Sequence, residues 1–400
     1  MSEWKVLTAE DFCDSVRDGT HDTPKQVECG YKLVTAKHIS NGQIDLSDAY
    51  LISESDYLKI NERSKVERWD VLMSMIGNGL GKSAVVKDNP QYAIKNLALF
   101  KIGDETRAKW LHYYLSSNKG QGFIYNSLQG SGQPFISLSL LRKFPIPVPD
   151  DEKIMRKVVA TLSRYDSLIE NYQKQIKLLE EAAQRLYKEW FVDLHFPGHE
   201  NTKIVDGVPE GWEKKSVKTI VELQSGYAFK SSDFASDGIY KIVTIKNVKD
   251  GAFDGENVSK IASIPEKMPK HCILEDGDIL LSLTGNVGRV CIVVGKNYLL
   301  NQRVAKLKSI FKAYTYCLFR SRDMFIDVNN LANGAAQQNV SPIKIGEMKI
   351  LIPEKKLLNE FEKESSNYIS GVIAFQSQIR LLTEARDRLL PKLMSGEIAV

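Results

Sequence analysis

Four hundred residues, 43% hydrophobic and 26% charged, exceed one ordinary core and suit two soluble domains with connectors. A net charge of +4 is compatible with a polyanionic partner without demanding one. No apolar run reaches the roughly 18–20 residues of a membrane helix. Met1-Ser2-Glu3-Trp4-Lys5 lacks the basic and apolar regions of a signal peptide. The five scattered cysteines form no CxxC pair, which predicts reduced, buried thiols in a cytoplasmic protein.

Residues 1–149 alternate short apolar runs with Gly and Asn, which predicts antiparallel strands and turns. Gly77-Asn78-Gly79-Leu80-Gly81-Lys82-Ser83 looks like a phosphate loop, but Ile76 stands where such a loop needs its first glycine. A tight turn with Lys82 at its tip is the expectation. Asp88-Asn89-Pro90-Gln91-Tyr92 resembles the Asn/Asp-Pro-Pro-Tyr/Phe tetrapeptide of amino-methyltransferases, but Gln91 replaces the second proline, and a hairpin turn is expected instead. Phe144-Pro145-Ile146-Pro147-Val148-Pro149 reads as an edge strand and a stop.

Residues 150–200 carry a heptad stripe: Leu162, Tyr165, Ile169, Tyr172, Ile176, Leu179, Ala183, Leu186 and Trp190. A helix from 162 to 190 is roughly 43 Å long. Beside its end, Tyr187, Phe191 and Val192 are apolar candidates for a partner contact. His195 and His199 have a helical metal spacing, but Pro197 and Gly198 intervene and no further ligand completes a site. No metal site is expected.

Residues 201–353 then repeat the first block. Tyr31-Lys32-Leu33-Val34-Thr35-Ala36-Lys37 returns as Tyr240-Lys241-Ile242-Val243-Thr244-Ile245-Lys246. Trp69-Asp70-Val71-Leu72 returns as Gly277-Asp278-Ile279-Leu280. Gln175-Ile176-Lys177-Leu178-Leu179 returns in residues 354–400 as Gln378-Ile379-Arg380-Leu381-Leu382. There a second stripe runs Tyr368, Val372, Phe375, Ile379, Leu382, Arg386, Leu389, Leu393. A stripe can pack on its own globular domain, but matching stripes favour the two helices packing on each other through Leu162, Ile169, Tyr172, Ile176, Leu179 and Leu186 against Val372, Phe375, Ile379, Leu382 and Leu389.

No nucleophile, acid–base pair or cofactor loop has a recognisable context, so the chain does not read as an enzyme by itself. Polar loops recur at equivalent places. Gly130-Ser131-Gly132-Gln133 faces Gly334-Ala335-Ala336-Gln337-Gln338-Asn339, and Ile94-Lys95-Asn96 faces Asn301-Gln302-Arg303. Asn, Gln and Arg read base edges, while Lys and Ser hold phosphates. The candidate DNA contacts are Lys37, Asn78, Lys82, Lys95, Asn96, Ser131 and Gln133 in the first copy. In the second they are Lys246, Asn286, Arg289, Asn301, Gln302, Arg303, Gln337, Gln338 and Asn339.

At these residues the chain resembles the specificity subunits of Type I restriction–modification systems. The resemblance rests on Gly130-Ser131-Gly132-Gln133-Pro134-Phe135-Ile136-Ser137, on Asn301-Gln302-Arg303-Val304-Ala305, on Arg185-Leu186-Tyr187-Lys188-Glu189-Trp190-Phe191-Val192-Asp193, and on the ending Leu389-Leu390-Pro391-Lys392-Leu393-Met394-Ser395-Gly396-Glu397-Ile398. The first copy departs from it, with Ile94-Lys95-Asn96 where Asn-Gln-Arg is usual. The resemblance implies an α+β, pseudo-twofold chain. Target-recognition domains at 1–149 and 201–353 would be separated by antiparallel coiled-coil helices at 150–200 and 354–400. It implies double-stranded DNA, two modification subunits and restriction/translocase subunits as partners, no membrane, and no cofactor on this chain. S-adenosylmethionine, ATP and magnesium would sit on the partners. An enzyme with an unrecognised site, or an adaptor that binds protein only, are the alternatives left open.

Overall fold

The computed structural model describes residues 4–40, 42–130, 134–256, 258–332 and 338–398, with the backbone alone for Asn78. The contacts group the chain into two units, Met1–Ser167 with Thr383–Val400, and Leu168–Leu382.

In the first unit a four-stranded antiparallel sheet takes the order Ser15–Asp18, Leu97–Lys101, Val71–Ser74, Ser83–Val85. The second unit repeats it as Glu222–Ser225, Val304–Lys308, Ile279–Ser282, Val290–Ile292. A smaller sheet accompanies each, and here the sequence expectation fails. Tyr31–Val34 pairs in parallel with Tyr92–Ile94, and Tyr240–Val243 in parallel with Tyr298–Leu300. Periodicity marks a strand but not its partner's direction. For the same reason residues 88–91 are no hairpin: the strands either side of them lie in different sheets. Among the described residues the proline-bearing strand Pro145–Pro149 pairs only with Trp4–Thr8, as Lys349–Ile352 pairs only with Glu213–Ser216, which spares a sheet interior the missing N–H.

Small details repeat as faithfully as the sheets. Asp70 and Asp278 accept from the backbone N–H of Glu67 and Glu275 at 2.7 and 2.9 Å, closing the same turn. Trp69 holds the left-handed φ of 67° that Gly277 adopts at 83°, with the Arg68 guanidinium over its ring. Ser117 and Ser321 each end one helix and begin the next. Each hydroxyl donates to the carbonyl three residues back, at 2.7 Å in both, and accepts an N–H three residues on.

Two helices of 40 residues, Glu152–Phe191 and Lys355–Met394, each contribute to both units. In the first unit Leu162 is fully buried, and Arg386 donates to Asp166 at 2.8 Å. A cation within the second stripe is thereby matched. In the second unit Tyr172 stacks on Phe375 with centroids 5.0 Å apart, and Leu179 lies 2.8 Å from where a Cβ on Gly371 would sit. The pairings run antiparallel. Ile169 and Val372 are buried, whereas Ile176, Leu179, Leu186, Ile379, Leu382 and Leu389 are half-buried, as in a two-helix seam. Tyr187 and Phe191 belong to the second unit's core, which leaves Val192, 49% exposed, as the one free candidate of that trio. Of the five cysteines Cys29 is exposed, against the expectation of burial.

Candidate nucleic-acid interface

Each large sheet sends one strand onward into a loop cluster. In the second unit that strand is Ile279–Ser282, continuing through Leu283-Thr284-Gly285-Asn286. The Leu283 N–H donates to the Arg303 carbonyl at 3.0 Å, and the Leu283 carbonyl accepts from Val340 at 2.9 Å. Gly285 N–H donates to the Gln338 carbonyl at 3.0 Å, and the Thr284 hydroxyl to Asn339 Oδ1 at 2.8 Å. The Ile245 side chain lies 3.4 Å from the position of a Cβ on Gly285, so Lys246 joins the same cluster. Lys246, Asn286, Arg303, Gln338 and Asn339, up to 93 residues apart in sequence (339 minus 246), thus meet around one strand end. In the first unit Ile136 donates to the Met75 carbonyl at 3.0 Å, Ile76 bridges to Phe135, and Ala36 backs onto Gly79. That gathers Lys37 and Lys82. Ser131, Gln133 and Gln337 lie outside the described residues, as does the side chain of Asn78.

The hairpin tips are built alike. Ser74 N–H donates to the Lys82 carbonyl and Ser282 N–H to the Arg289 carbonyl, both at 2.9 Å. Gly81 and Gly288 take φ of 80° and 86°, and amides from the following helices, Gln121 and Asn329, donate to the Gly81 and Val287 carbonyls at 3.1 Å. A Cβ on either glycine would press on those amides at about the 2.9–3.0 Å contact limit. The hairpin therefore presents Lys82 and Arg289 from a braced backbone. Lys82, Lys246, Arg289 and Arg303 form no ion pair among the described residues, so their charge is available to a polyanion. Lys37 instead bonds Asp48 at 2.8 Å, which holds that carboxyl below its usual range. Next to it His38 is buried, its Nδ1 accepting from the Thr35 N–H at 2.8 Å. Burial, working against Asp48, lowers its pKa. Asn247 Oδ1 plays the same part for Thr244 at 2.8 Å.

The turn before strands Leu97–Lys101 and Val304–Lys308 corrects the pairing of the two copies. Lys95 N–H donates to the Val34 carbonyl as Asn301 does to that of Val243, and Asn96 N–H donates to the Thr20 carbonyl as Gln302 does to that of Tyr227. Lys95 therefore matches Asn301, Asn96 matches Gln302, and Arg303 is an extra residue of the second copy. Asn96, at φ 55°, closes the turn one residue sooner. Over both turns the chain passes so closely that a Cβ on Gly19 would meet the Ile94 carbonyl oxygen at 2.4 Å, and one on Gly226 that of Asn301 at 2.2 Å. Lys95 is not free, its amine meeting the Thr23 hydroxyl.

Sequence reasoning missed the side chains around Asn96. His21 Nδ1 lies 2.8 Å from Asn96 Oδ1, and its Nε2 lies 3.0 Å from Asp18 Oδ2, whose other oxygen meets Arg63. No local pattern marks them: Asn96 is 75 residues from His21. Among the described residues there is no group of three or more His, Cys, Asp or Glu placed to hold a metal ion, and no helix long and apolar enough to cross a membrane.

A family model described as the Type I restriction modification DNA specificity domain matches residues 1–181 and 209–371. The MjaVIII specificity subunit of a Type I restriction enzyme from Methanocaldococcus jannaschii is 25% identical, over all of this chain and 93% of that protein. The HindI specificity subunit from Haemophilus influenzae is 20% identical over the whole of both. The crystal structure of a Type I restriction-modification S subunit from M. genitalium shares the fold at a TM-score of 0.56 and 16% identity, covering 98% of this chain and 96% of that one.

Proposed function

This chain belongs to the Type I restriction–modification DNA specificity family, whose members are non-catalytic recognition subunits, and we propose that each of its two copies reads one half of a bipartite DNA site. One observation carries this reading. The same loop cluster, with a basic hairpin tip (Lys82 or Arg289), is built twice from elements in the same order. The tips and Lys246 hold phosphates, while Asn96, Gln302, Arg303, Gln338 and Asn339 face base edges.

Assembly follows the same doubling. Leu178 and Leu381 occupy equivalent places on the two long helices and are 64% and 48% exposed. Equivalent exposed leucines on the two helices fit two copies of one partner, so in this reading the complex holds two modification subunits, with restriction/translocase subunits joining for cleavage. S-adenosylmethionine, ATP and magnesium belong to those partners, and the assembly works in the cytoplasm. Because both helices are shared by both units, they fix a non-specific spacer between the half-sites.

Mapping methylated adenines in cells that express the chain with its modification subunits tests the reading. Two short defined segments with one fixed spacer are expected, and a single uninterrupted site would refute it. Removing 170–176 with 373–379 deletes one heptad from each helix and shortens both by about 10 Å, so the spacer should lose roughly three base pairs. An unchanged spacer would show that the helices do not set it.

A further inference from the structure

We propose that Phe325 is a DNA contact of the second unit alone, an aromatic ring that meets the apolar carbon surface of the duplex beside the phosphate held by Arg289. The inference rests on the role proposed for that hairpin tip. Gln121 and Phe325 stand at one backbone place, four residues after the serines that open their helices. Gln121 N–H donates to the Ser117 carbonyl at 2.9 Å, and Phe325 N–H to the Ser321 carbonyl at 3.0 Å. Both side chains lie on a hairpin tip. A Cβ on Gly81 would sit 2.9 Å from Gln121 Oε1, and one on Gly288 would sit 3.1 Å from Phe325 Cδ2.

In the first copy Gln121 itself ties the tip, through the Gly81 carbonyl. In the second the tie has moved one helical turn on, to Asn329 and the Val287 carbonyl. Position 325 is released from that bond and carries a ring instead. The ring does not serve the interior. Met324 and Val328 fill the core from this helix, while Phe325 stays 44% exposed with one edge against Gly288. Apolar carbon left open to water is what a partner stabilises by covering it.

The charges around the ring suit a polyanion. At about 100° per residue, Arg322 shares the Phe325 face of the helix, three residues earlier, while Asp323 and Asp327 lie about 160° round it. Arg289 and Arg322 form no ion pair among the described residues. Asp250 comes from the loop whose Gly251 N–H donates to the Val290 carbonyl, and Arg320 matches it at 2.7 Å. A ring between two unpaired guanidinium groups fits a surface where apolar carbon alternates with phosphate. Duplex DNA offers such carbon in two forms, the thymine methyl and the deoxyribose.

The test uses the full chain in complex with its modification subunits and measures affinity for a duplex bearing the mapped site over a range of salt. Phe325→Ala should weaken binding about fivefold at every salt concentration, the factor that covering under half of a phenylalanine carries. The slope of affinity against salt should not change, because no phosphate contact is lost. Arg322→Ala should lower that slope by about 1. Phe325→Leu should keep most of the affinity, and Phe325→Gln, with the first copy's residue, should lose as much as alanine. Replacing each thymine of the second half-site by deoxyuridine separates the two sources of carbon. If one replacement weakens the unaltered complex and not Phe325→Ala, the ring meets that methyl; if none does, it meets the sugar. Unchanged affinity of Phe325→Ala overturns the proposal, as does a loss that lowers the salt slope, since the ring would then only place Arg289. Should the alanine variant fail to assemble, equal affinities of the leucine and glutamine variants overturn it. An Arg289→Ala complex with an unaltered salt slope would instead refute the reading of the tip on which the proposal stands.

Discussion

The last turns of the two long helices do the same job with different side chains. The first helix ends in the second unit's core with Tyr187, Trp190 and Phe191, packed around Phe361 at centroid distances of 6.3, 5.6 and 4.9 Å. The second helix ends in the first unit's core with Leu390, Leu393 and Met394, and the place of Phe361 is held by Val158. Both sets are buried, Phe191 partly so. One backbone plan thus accepts an aromatic or an aliphatic filling, provided each is packed to completion, because a core responds to volume and fit rather than to residue identity.

Truncation at the matched position gives the largest expected contrast. Phe361→Ala should cost about 3–5 kcal/mol, since it strips a ring from an aromatic cluster, whereas Val158→Ala should cost about 2 kcal/mol. Urea unfolding measures both, and hydrogen exchange should place the first loss in the second unit and the other in the first. Equal costs would mean that the two cores differ in appearance only.

Acid should separate the units next. His112 Nδ1 lies 2.9 Å from the Ser83 hydroxyl, and burial brings its pKa down to about 4. Its counterpart, counted from Ser117 and Ser321, is Tyr316, which donates to Glu180 at 2.5 Å. The unfolded chain gains a proton near pH 6.5 that the folded His112 refuses until about pH 4. Its contribution is therefore intact above about 6.5 and is lost progressively as pH falls toward 4, by up to about 3 kcal/mol. The first unit should lose protection against exchange over that range, and His112→Gln should flatten the loss. An equal loss in the second unit would break the contrast.

Recognition offers two finer contrasts. Arg303 has no counterpart in the first copy, so Arg303→Ala should cost about 1–3 kcal/mol of discrimination at one base pair of the second half-site alone. Asn96→Ala should blur only the first. Methylation mapping that shows both half-sites degenerate after one substitution would show that the copies do not read separately. Smallest is the loss of a hairpin-tip cation. Lys82→Ala or Arg289→Ala should weaken binding to all sequences and lower the salt slope by about 1. A base-specific effect would mean that the tips read rather than hold.

The duplication, the two long helices and their mutual packing were legible because each depends on pattern along the chain. Apolar spacing fixes a helix face, and a repeated string fixes a repeated element. Strand direction was not legible, since Tyr31–Val34 and Tyr92–Ile94 would look the same paired either way. Nor was the register at Arg303, because Leu97-Ala98 and Val304-Ala305 align perfectly while the turn ahead of them differs by one residue, a difference set by the backbone angle of Asn96. The convergence of Gln338 on Gly285 and of Asn339 on Thr284 was suggested only by recurrence. The network of Asp18, His21 and Asn96 left no trace in the sequence, because its members are joined by folding alone.

The sharing of helices between units has a consequence for biosynthesis. The first unit includes Thr383–Val400, so its core lacks Leu390, Leu393 and Met394 until those residues, more than 200 positions downstream, have been translated. At roughly 5–20 residues per second, the first 167 residues wait on the order of 10–50 s for their closing segment. The unit begun first is closed only after all of the second unit has been made. A premature stop in the last helical turn would therefore spare the second unit and leave residues 1–167, all of them made, without the floor of their core.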